Sequence, residues 1–512
     1  MKIKSAFISI SNKEKLDKVL KELKKYNIKF VSTGGTCKKI KSLGYNCTEV
    51  SDFTKFPEIL DGRVKTLHPK IYSGILFKRK KNSHKQMLKK LNFQSIDLVI
   101  VNFYPFEKII TQTKNHKKII ENIDIGGPTL VRAAAKNYND VTVITKPNDY
   151  EELIIQLKLY KGGTSLKFRE KMSKIAFSET ASYDVKIHNY FKNFSKEKYP
   201  KKFFIEGNLI QKLRYGENPH QHAALYGFEK NLKLKQLQGK ELSYNNYNDI
   251  FSCIDLIKIL PENIGTAIVK HANPCGVSVE NNHMKSYLSA VNCDPISAYG
   301  GVLACNYKIS FNLAKEIKKK FYEVIISNGY DNKALKLFEK KKNMTLVDIS
   351  NFKIERQNKF TSGVNSFMIQ NSDLEKFNKS NFKVISKNKP SKKLMDELIF
   401  SLNVCRRVKS NAIVISQNSK TLGIGSGQPS RLDSCKIAIE KMKMFKQFNN
   451  KDPIIAASDA FFPFIDGIEI LVQAGVNAII QPYGSINDKK IIKFANDMGI
   501  VLVFSKTRHF NH

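Results

Sequence analysis

Residues Asp97–Phe103 read DLVIVNF, and Asp140–Thr145 read DVTVIT. Each is a short apolar run without polar alternation. Such runs mark strands buried on both faces, the habit of parallel sheets covered by helices. IKSAFISI (Ile3–Ile10) is a third β-rich run. The helical pattern after it places Leu16, Val19, Leu20 and Leu23 on one face. IKFVS (Ile28–Ser32) is a fourth, followed by a Gly turn and a helix from about Cys37. A helical stretch from Ser165 to about Phe191 closes the unit. This alternation predicts an α/β domain over residues 1–195 with a mainly parallel sheet.

KNFSKEKYPKK (Lys192–Lys202) is polar and reads as a linker. A second α/β unit follows over residues 203–512. Its strands include Gly265–His271, Asn411–Ser416, Asn477–Gln481 and Ile500–Ser505. The stretch Lys376–Lys393 divides it into halves, 203–380 and 390–512. No fixed-period repeat is visible.

The chain has 512 residues, of which 42% are hydrophobic and 26% charged. That balance fits two to four globular domains and excludes collagen-like, low-complexity and disordered classes. Lys and Arg number 86 against 46 acids, a net charge of +40. A basic surface raises nucleic acid, anionic membranes and phosphorylated small molecules as partners. Only 10 of these cations are Arg, whereas base and phosphate reading lean on Arg forks. The scattered Lys therefore reads as a solvated surface, with neither nucleic acid nor membrane as partner. The eight Cys form no C-x-x-C pair, which argues against a zinc ribbon, a redox dithiol or a zinc deaminase. Sparse Cys, no apolar signal core and no apolar run near 18 residues predict a cytoplasmic protein.

Several segments could carry chemistry. STGGT (Ser32, Thr33, Gly34, Gly35, Thr36) lies between a strand and a helix, where free amides cradle phosphate. Ser11 and Lys13 stand at the end of the first strand. GRVKTLHPK (Gly62–Lys70) puts Arg63, Lys65, Thr66 and His68 in a loop, cations suited to phosphate or an oxyanion. Asn102, Tyr104 and Pro105 end an apolar strand. IDIGGPTLVRAAAKN (Ile123–Asn137) combines Asp124, Gly126 and Gly127 with Arg132 and Lys136, which share a helix face.

In the second unit, LRYGENPHQ (Leu213–Gln221) reads as a ligand-holding loop. VKHANPCG (Val269–Gly276) sets Lys270 beside His271 at a strand end, with a Pro-Gly turn behind. That is a natural acid–base pair. Nothing marks Cys275 as an activated nucleophile. TLGIGSGQPSR (Thr421–Arg431) follows a hairpin turn at Gln417–Asn418 and is not a dinucleotide fingerprint. SDAFFPFIDG (Ser458–Gly467) could line a pocket for a flat heteroaromatic ring.

In this order, and along the whole chain to RHFNH (Arg508–His512), these motifs resemble the bifunctional purine biosynthesis family. That family joins an IMP cyclohydrolase to an AICAR transformylase. The resemblance implies an N-terminal methylglyoxal-synthase-like, doubly wound parallel sheet. It implies a C-terminal pair of cytidine-deaminase-like α/β subdomains without metal. The first unit would close 5-formamido-imidazole-carboxamide ribotide (FAICAR) to IMP. Ser11, Lys13 and Ser32–Thr36 would hold its phosphate, with Arg63, Thr66, Asn102, Gly126 and Gly127 also binding. Lys65, Tyr104, Asp124 and Lys136 would carry ring closure. The second unit would transfer formyl from 10-formyltetrahydrofolate, its co-substrate, to AICAR. His271 would be the base, Lys270 would assist the leaving nitrogen, and Asn411 would orient the transition state. Arg214, Tyr215 and Arg508 would hold the nucleotide. Gly300, Glu323, Arg431, Phe461, Pro463, Phe464, Asp466 and His512 would complete the binding surface. A homodimer with transformylase sites between subunits is implied as well.

Five of the ten Arg (63, 132, 214, 431 and 508) fall inside these motifs. The chain also departs from the family pattern. SNKEK stands where S-D-K-T-G is usual, so Asn12 and Glu14 enter the phosphate loop. Pro429 alters the GQ-x-SR motif, Asn365–Ser366 replaces a Gly pair, and Asn328 stands where Pro is usual.

Overall fold

In the computed structural model the apolar runs become strands β1 (Ser5–Ile10), β2 (Lys29–Ser32), β3 (Thr48–Glu49), β4 (Leu98–Asn102) and β5 (Thr142–Ile144). The structure describes residues 1–229, 232–352 and 358–512, and it divides into two units, Met1–Glu206 and Gly207–His512. In the first unit the sheet order is β3-β2-β1-β4-β5, with every pairing parallel. Leu98–Val101 is buried throughout, which is why that run shows no alternation. The chain leaves β1 for β2 on one side and returns to β4 on the other. The carboxyl ends of β1 and β4 therefore flank a switch point, where open α/β sheets present a crevice.

Two boundaries differ from the sequence reading. The helix after β2 spans Gly34–Ser42, so the glycines form its first turn rather than a separate loop. The long helix spans Leu166–Ser195 and takes up the first part of the stretch read as linker. KNFS holds no breaker, and the helix stops only where Lys196 turns left-handed at φ 56°.

The second unit opens with a separate hairpin, β6 (Asn208–Leu213) and β7 (Ala223–Gly227). Among the described residues its main sheet has twelve strands. The first half contributes β8 (Lys235–Gln238), β9 (Gly265–Lys270), β10 (Asn273–Val279), β11 (Val302–Cys305), β12 (Val324–Ser327) and β13 (Thr345–Asp348). An exposed hairpin, β14 (Asn358–Gly363) and β15 (Ser366–Asn371), intervenes. The second half contributes β16 (Phe382–Val384), β17 (Ile413–Gln417), β18 (Lys420–Gly425), β19 (Ile454–Ser458), β20 (Val476–Pro482) and β21 (Val501–Ser505). The order is β16-β21-β20-β19-β17-β18-β10-β9-β11-β12-β13-β8.

Read outward from the β10–β18 seam, the halves are the same. Each has a hairpin, then three parallel strands, then an antiparallel edge strand. Each inserts helices at the same points of the chain. The second unit is thus a duplication, although no periodic sequence repeat was visible. What repeats is the pattern of burial and pairing, which many different apolar residues satisfy. The segment Lys376–Lys393, read as a divider, instead carries β16, paired with β21. NPCG, read as a turn, is the start of β10, and the hairpin turn is His271–Ala272. The other hairpin turns at Asn418–Ser419, one residue beyond the position read from sequence.

Equivalent glycines let helices press on the seam. A Cβ on Gly276 of β10 would lie 1.9 Å from Ala290 O, and one on Gly423 of β18 would lie 2.0 Å from Ala438 O. Gly423→Ala should lower unfolding stability by about 2–3 kcal/mol through overpacking. Denaturant titration checks this, and an unchanged midpoint contradicts the close helix–strand contact.

Candidate functional site

In the first unit Asn102 ties the ends of β1 and β4 together. Its Oδ1 accepts from the amides of Ser11 (2.7 Å) and Asn12 (3.0 Å), and its Nδ2 donates to Asn12 O (3.0 Å). Ser11 Oγ lies 2.7 Å from Phe103 O, and Lys13 beside it is exposed. Glu14, the departure in this loop, is exposed too, and its amide donates to Asn12 Oδ1 (3.0 Å). The STGGT hydroxyls bond to the protein itself. Ser32 Oγ donates to Ile8 O (2.6 Å) and Thr36 Oγ1 to Ile10 O (3.0 Å), both in the interior. Thr33 Oγ1 pairs with Ser9 Oγ (2.9 Å). These hydroxyls fasten the helix Gly34–Ser42 to β1. An anion here would meet the helix's free first-turn amides at Gly34 and Gly35.

The GRVKT loop docks beside this crevice. Thr66 is buried, and a Cβ on Gly126 would lie 2.6 Å from its Oγ1. The contact seats the loop on the start of the helix Gly126–Lys136. Arg63 pairs with Glu121, and Lys65 pairs with Glu58. His68 is a capping residue, its Nδ1 accepting from Lys70 N (3.1 Å) at the helix Pro69–Leu76.

Asp124 is held from several sides. Its Oδ1 accepts from Gly127 N (2.8 Å), the Tyr104 amide also bonds to its carboxylate, and its own amide donates to Tyr183 OH (2.8 Å). A Cβ on Gly127 would lie 2.5 Å from Asp124 Oδ2, so only glycine admits this carboxylate. Burial holds the Asp124 carboxyl above its ordinary pKa, against the pull of the two amides. The Tyr104 ring is half exposed. Arg132 and Lys136 share an exposed face, as their spacing predicts. Lys136, however, ends a helix about 16 Å long whose start holds Asp124, so the two do not meet at one point.

In the second unit the β9–β10 turn carries the Lys-His pair. Lys270 Nζ donates to Tyr299 O (2.9 Å), next to Gly300. His271 and Ala272 both take positive φ, 54° and 59°. Asp249 Oδ1 accepts from Ala272 N (2.6 Å), and the His271 amide also bonds to that carboxylate. Nearby, Asn246 Nδ2 donates to Glu323 Oε2 (2.9 Å). Asn273 Oδ1 accepts from Lys409 N (3.0 Å). This bond joins the Lys-His turn of the first half to the segment of the second half that carries Asn411.

Asn411 is fixed in turn. Its Nδ2 donates to the carbonyls of Gln428 and Pro429, both at 2.9 Å, and its Oδ1 accepts from Arg431 Nη2 (2.8 Å). Pro429 acts through its carbonyl, so the altered side chain leaves this contact intact. Arg431 is buried against Asp459, and its Nη1 also donates to Ser458 Oγ (2.8 Å). Arg431, expected to bind substrate, is placed beside Asn411, with Nη2 holding its Oδ1 and Nη1 held by Ser458 and Asp459. Asp459 Oδ2 further accepts from Ser410 Oγ (2.6 Å) and Ala412 N (3.2 Å).

The aromatic loop begins immediately after Asp459. Phe461 is half-buried, Pro463 and Phe464 are exposed, and Asp466 Oδ1 accepts from Gly467 N (2.7 Å) at a helix start. The chain end is pinned nearby, Ser410 N donating to Asn511 O (3.0 Å), with Arg508 and His512 exposed. Arg214 is exposed beside the ring of Tyr215, its guanidinium 5.7 Å from the ring centre. Their loop reaches the helix Tyr244–Ile257 through Asn245 Nδ2, which donates to Glu217 O (3.2 Å). Burial pushes the Cys275 thiol up to about 12, so it is inert.

Asp249, Asn273, Asp459 and Tyr183 were missed by sequence reading. Asn273 and Asp459 lie inside quoted motifs and Asp249 in a helix between two of them, but only long-range contacts give them a task. Among the described residues no cluster of three or more His, Cys, Asp or Glu could hold a metal ion.

The profile of the AICARFT/IMPCHase bienzyme matches residues 134–441, and that of the MGS-like domain matches residues 15–129. The chain belongs to the AICARFT/IMPCHase bienzyme family. Relatives of this bienzyme named "Bifunctional purine biosynthesis protein PurH" match along their full length. The protein from Buchnera aphidicola subsp. Schizaphis graminum is 45% identical over 100% of this chain and 99% of its own. That from Aquifex aeolicus is 43% identical over 99% and 100%, and that from Acetivibrio thermocellus is 42% identical over 100% of both. The fold expected from resemblance, an MGS-like unit followed by a duplicated α/β unit, is therefore the fold of the bienzyme.

Asp459→Asn would leave Arg431 buried without a counter-charge. Unfolding stability should fall by about 3–5 kcal/mol. Denaturant unfolding checks this, and a loss below about 1 kcal/mol would show that water reaches the pair.

Proposed function

We propose that the two units divide the bienzyme's two reactions between the crevices described above. The chain carries out the last two steps of IMP synthesis, formyl transfer to AICAR and then dehydrative closure of FAICAR. The transfer step is assigned to the second unit and closure to the first. The observation that carries the reading is the Asn273–Lys409 bond, which unites the Lys270–His271 turn with Asn411.

Formyl transfer from 10-formyltetrahydrofolate starts with a poor nucleophile. The amine of AICAR shares its lone pair with the ring, so its proton must leave as nitrogen attacks the formyl carbon. His271 takes that proton, and Lys270 supplies one to the departing folate nitrogen. Asn411, held rigid by Arg431, orients the carboxamide and with it the transition state. Arg214, Tyr215 and Arg508 hold the nucleotide. Phe461, Pro463, Phe464 and Asp466 face the folate, with Gly300, Glu323 and His512 completing the surface.

In closure the carboxamide nitrogen attacks the formyl carbon, and water is then expelled. Lys65, released from Glu58, stabilises the developing oxyanion. Asp124, beside Tyr104 and with its pKa raised by burial, takes the attacking nitrogen's proton and returns it to the departing hydroxyl as water, while Lys65 protonates the oxyanion and regains its proton from the formamido N–H. The amides of Gly34 and Gly35, with Ser11 and Lys13, hold the phosphate, and Arg63 adds a cation once it leaves Glu121. The same family reading makes the enzyme a cytoplasmic homodimer. Among the described residues no helix is long and apolar enough to cross a membrane.

His271→Ala should slow formyl transfer by about 10²–10⁴-fold and leave closure of supplied FAICAR unchanged. Lys65→Ala should do the reverse. Separate absorbance assays for folate release and IMP appearance decide, and loss of both activities in one folded variant refutes the division. Lys136→Ala should slow closure less than Lys65→Ala, since Lys136 stands a helix length from Asp124. An equal or larger effect would place Lys136 at the reacting atoms.

A further inference from the structure

The two hairpins of the duplicated sheet invite direct comparison. His271–Ala272 occupies in the first half the place that Asn418–Ser419 occupies in the second. All four residues take positive φ, between 53° and 59°. Two-residue turns of this kind suit Asn-Gly. Asn and His enter the left-handed region more readily than other side chains, but Ala at the second position has none that favours it. Something outside the turn must hold it.

That something is an acid at the same place in each half. Helices Tyr244–Ile257 and Lys392–Cys405 are equivalent, each of 14 residues with a Ser N-cap. Asp249 and Glu397 occupy the same position along them. Glu397 Oε2 accepts from Asn418 N at 3.0 Å. Asp249 Oδ1 accepts from Ala272 N at 2.6 Å, with the His271 amide bonded to the same carboxylate. The second half keeps the acid and the turn but carries Gln417 and Asn418 where the first carries Lys270 and His271. The acid therefore belongs to the turn's architecture, and only in the first half does the turn bear the proton-transfer pair.

We propose that Asp249 is a positioning residue for formyl transfer, its carboxylate gripping the His271–Ala272 turn so that His271 stands beside Lys270 in the site. The proposal rests on His271 being the base. The charged and titratable groups facing Asp249 are His271, Glu323 and the buried thiol of Cys253. None of them replaces its grip on the two amides.

The test uses the full-length enzyme and measures kcat and KM for transfer separately, with closure of supplied FAICAR as an internal control on folding. Asp249→Ala should lower transfer kcat by about 10²-fold with KM for AICAR held within about threefold and closure unchanged. Asp249→Asn, which keeps one oxygen acceptor, should recover about tenfold of that loss. Glu397→Ala, removing the same grip from the turn without chemistry, should leave transfer kcat unchanged. Transfer kcat near parental in both Asp249 variants overturns the proposal, and so does a rise in KM at unchanged kcat. An equal loss from Glu397→Ala also overturns it, because the grip would then be merely structural. Should Asp249→Ala fail to fold, Asp249→Asn decides alone. A fully active His271→Ala enzyme would instead remove the base assignment, whereas an inactive one beside normal Asp249 variants removes only this proposal.

Discussion

The buried Asp459 carboxylate is the contact on which the second unit's site depends. It is fully inaccessible to solvent, and it faces Arg431, itself only 9% exposed. Two charges taken out of water are tolerated only when nearly every lone pair and N–H finds a partner. Here they do. Arg431 reaches Asp459, Ser458 and Asn411, and Asp459 reaches Ser410, Ala412 and Arg431. The site side chain Asn411 is thereby held by atoms that cannot rearrange without exposing a bare charge. The Ser410 hydroxyl also accepts the Asn511 amide (3.1 Å), which fastens the chain end to the same knot. Rigid support of this kind is what precise orientation of a transition state requires.

Duplication followed by divergence explains the rest of that unit. The halves share strand order, helix insertion, close-packed glycines and an acid under each hairpin turn. They meet along β10 and β18, where Thr421 Oγ1 accepts from Val277 N (2.9 Å). The antiparallel seam turns one half around relative to the other, so the two hairpin turns fall at opposite ends of the sheet. Lys270–His271 consequently lies at the end where β17 begins, and Asn273 can reach Lys409. One site is built from both halves, and the counterpart turn at Asn418–Ser419 keeps the scaffold without the proton-transfer pair.

The first unit solves its problem with backbone rather than side chains. Parallel strands end together at the switch point, and the helix after β2 points its free amides there. The Ser32 and Thr36 hydroxyls stabilise this arrangement by bonding to strand carbonyls in the interior. Two glycines, 126 and 127, then let Thr66 and Asp124 approach a helix start where any side chain would collide. In both loops glycine is required by what stands next to it.

The sequence by itself determined the α/β class, because buried parallel strands must be continuous apolar runs and DLVIVNF and DVTVIT are such runs. It also exposed the Lys-His pair, the STGGT turn and GRVKT, since those residues are adjacent in the chain. Their order identified the family resemblance. Only the tertiary structure decided what distant residues do to one another. It turned Ser32 and Thr36 inward, made Arg431 a support for Asn411, and set Lys136 a helix length from Asp124. It also revealed the duplication, and with it Asp249 and Glu397 in matching places. The physical reason is that local propensity fixes elements, whereas burial, register and charge pairing between remote segments fix which side chain is left free to react.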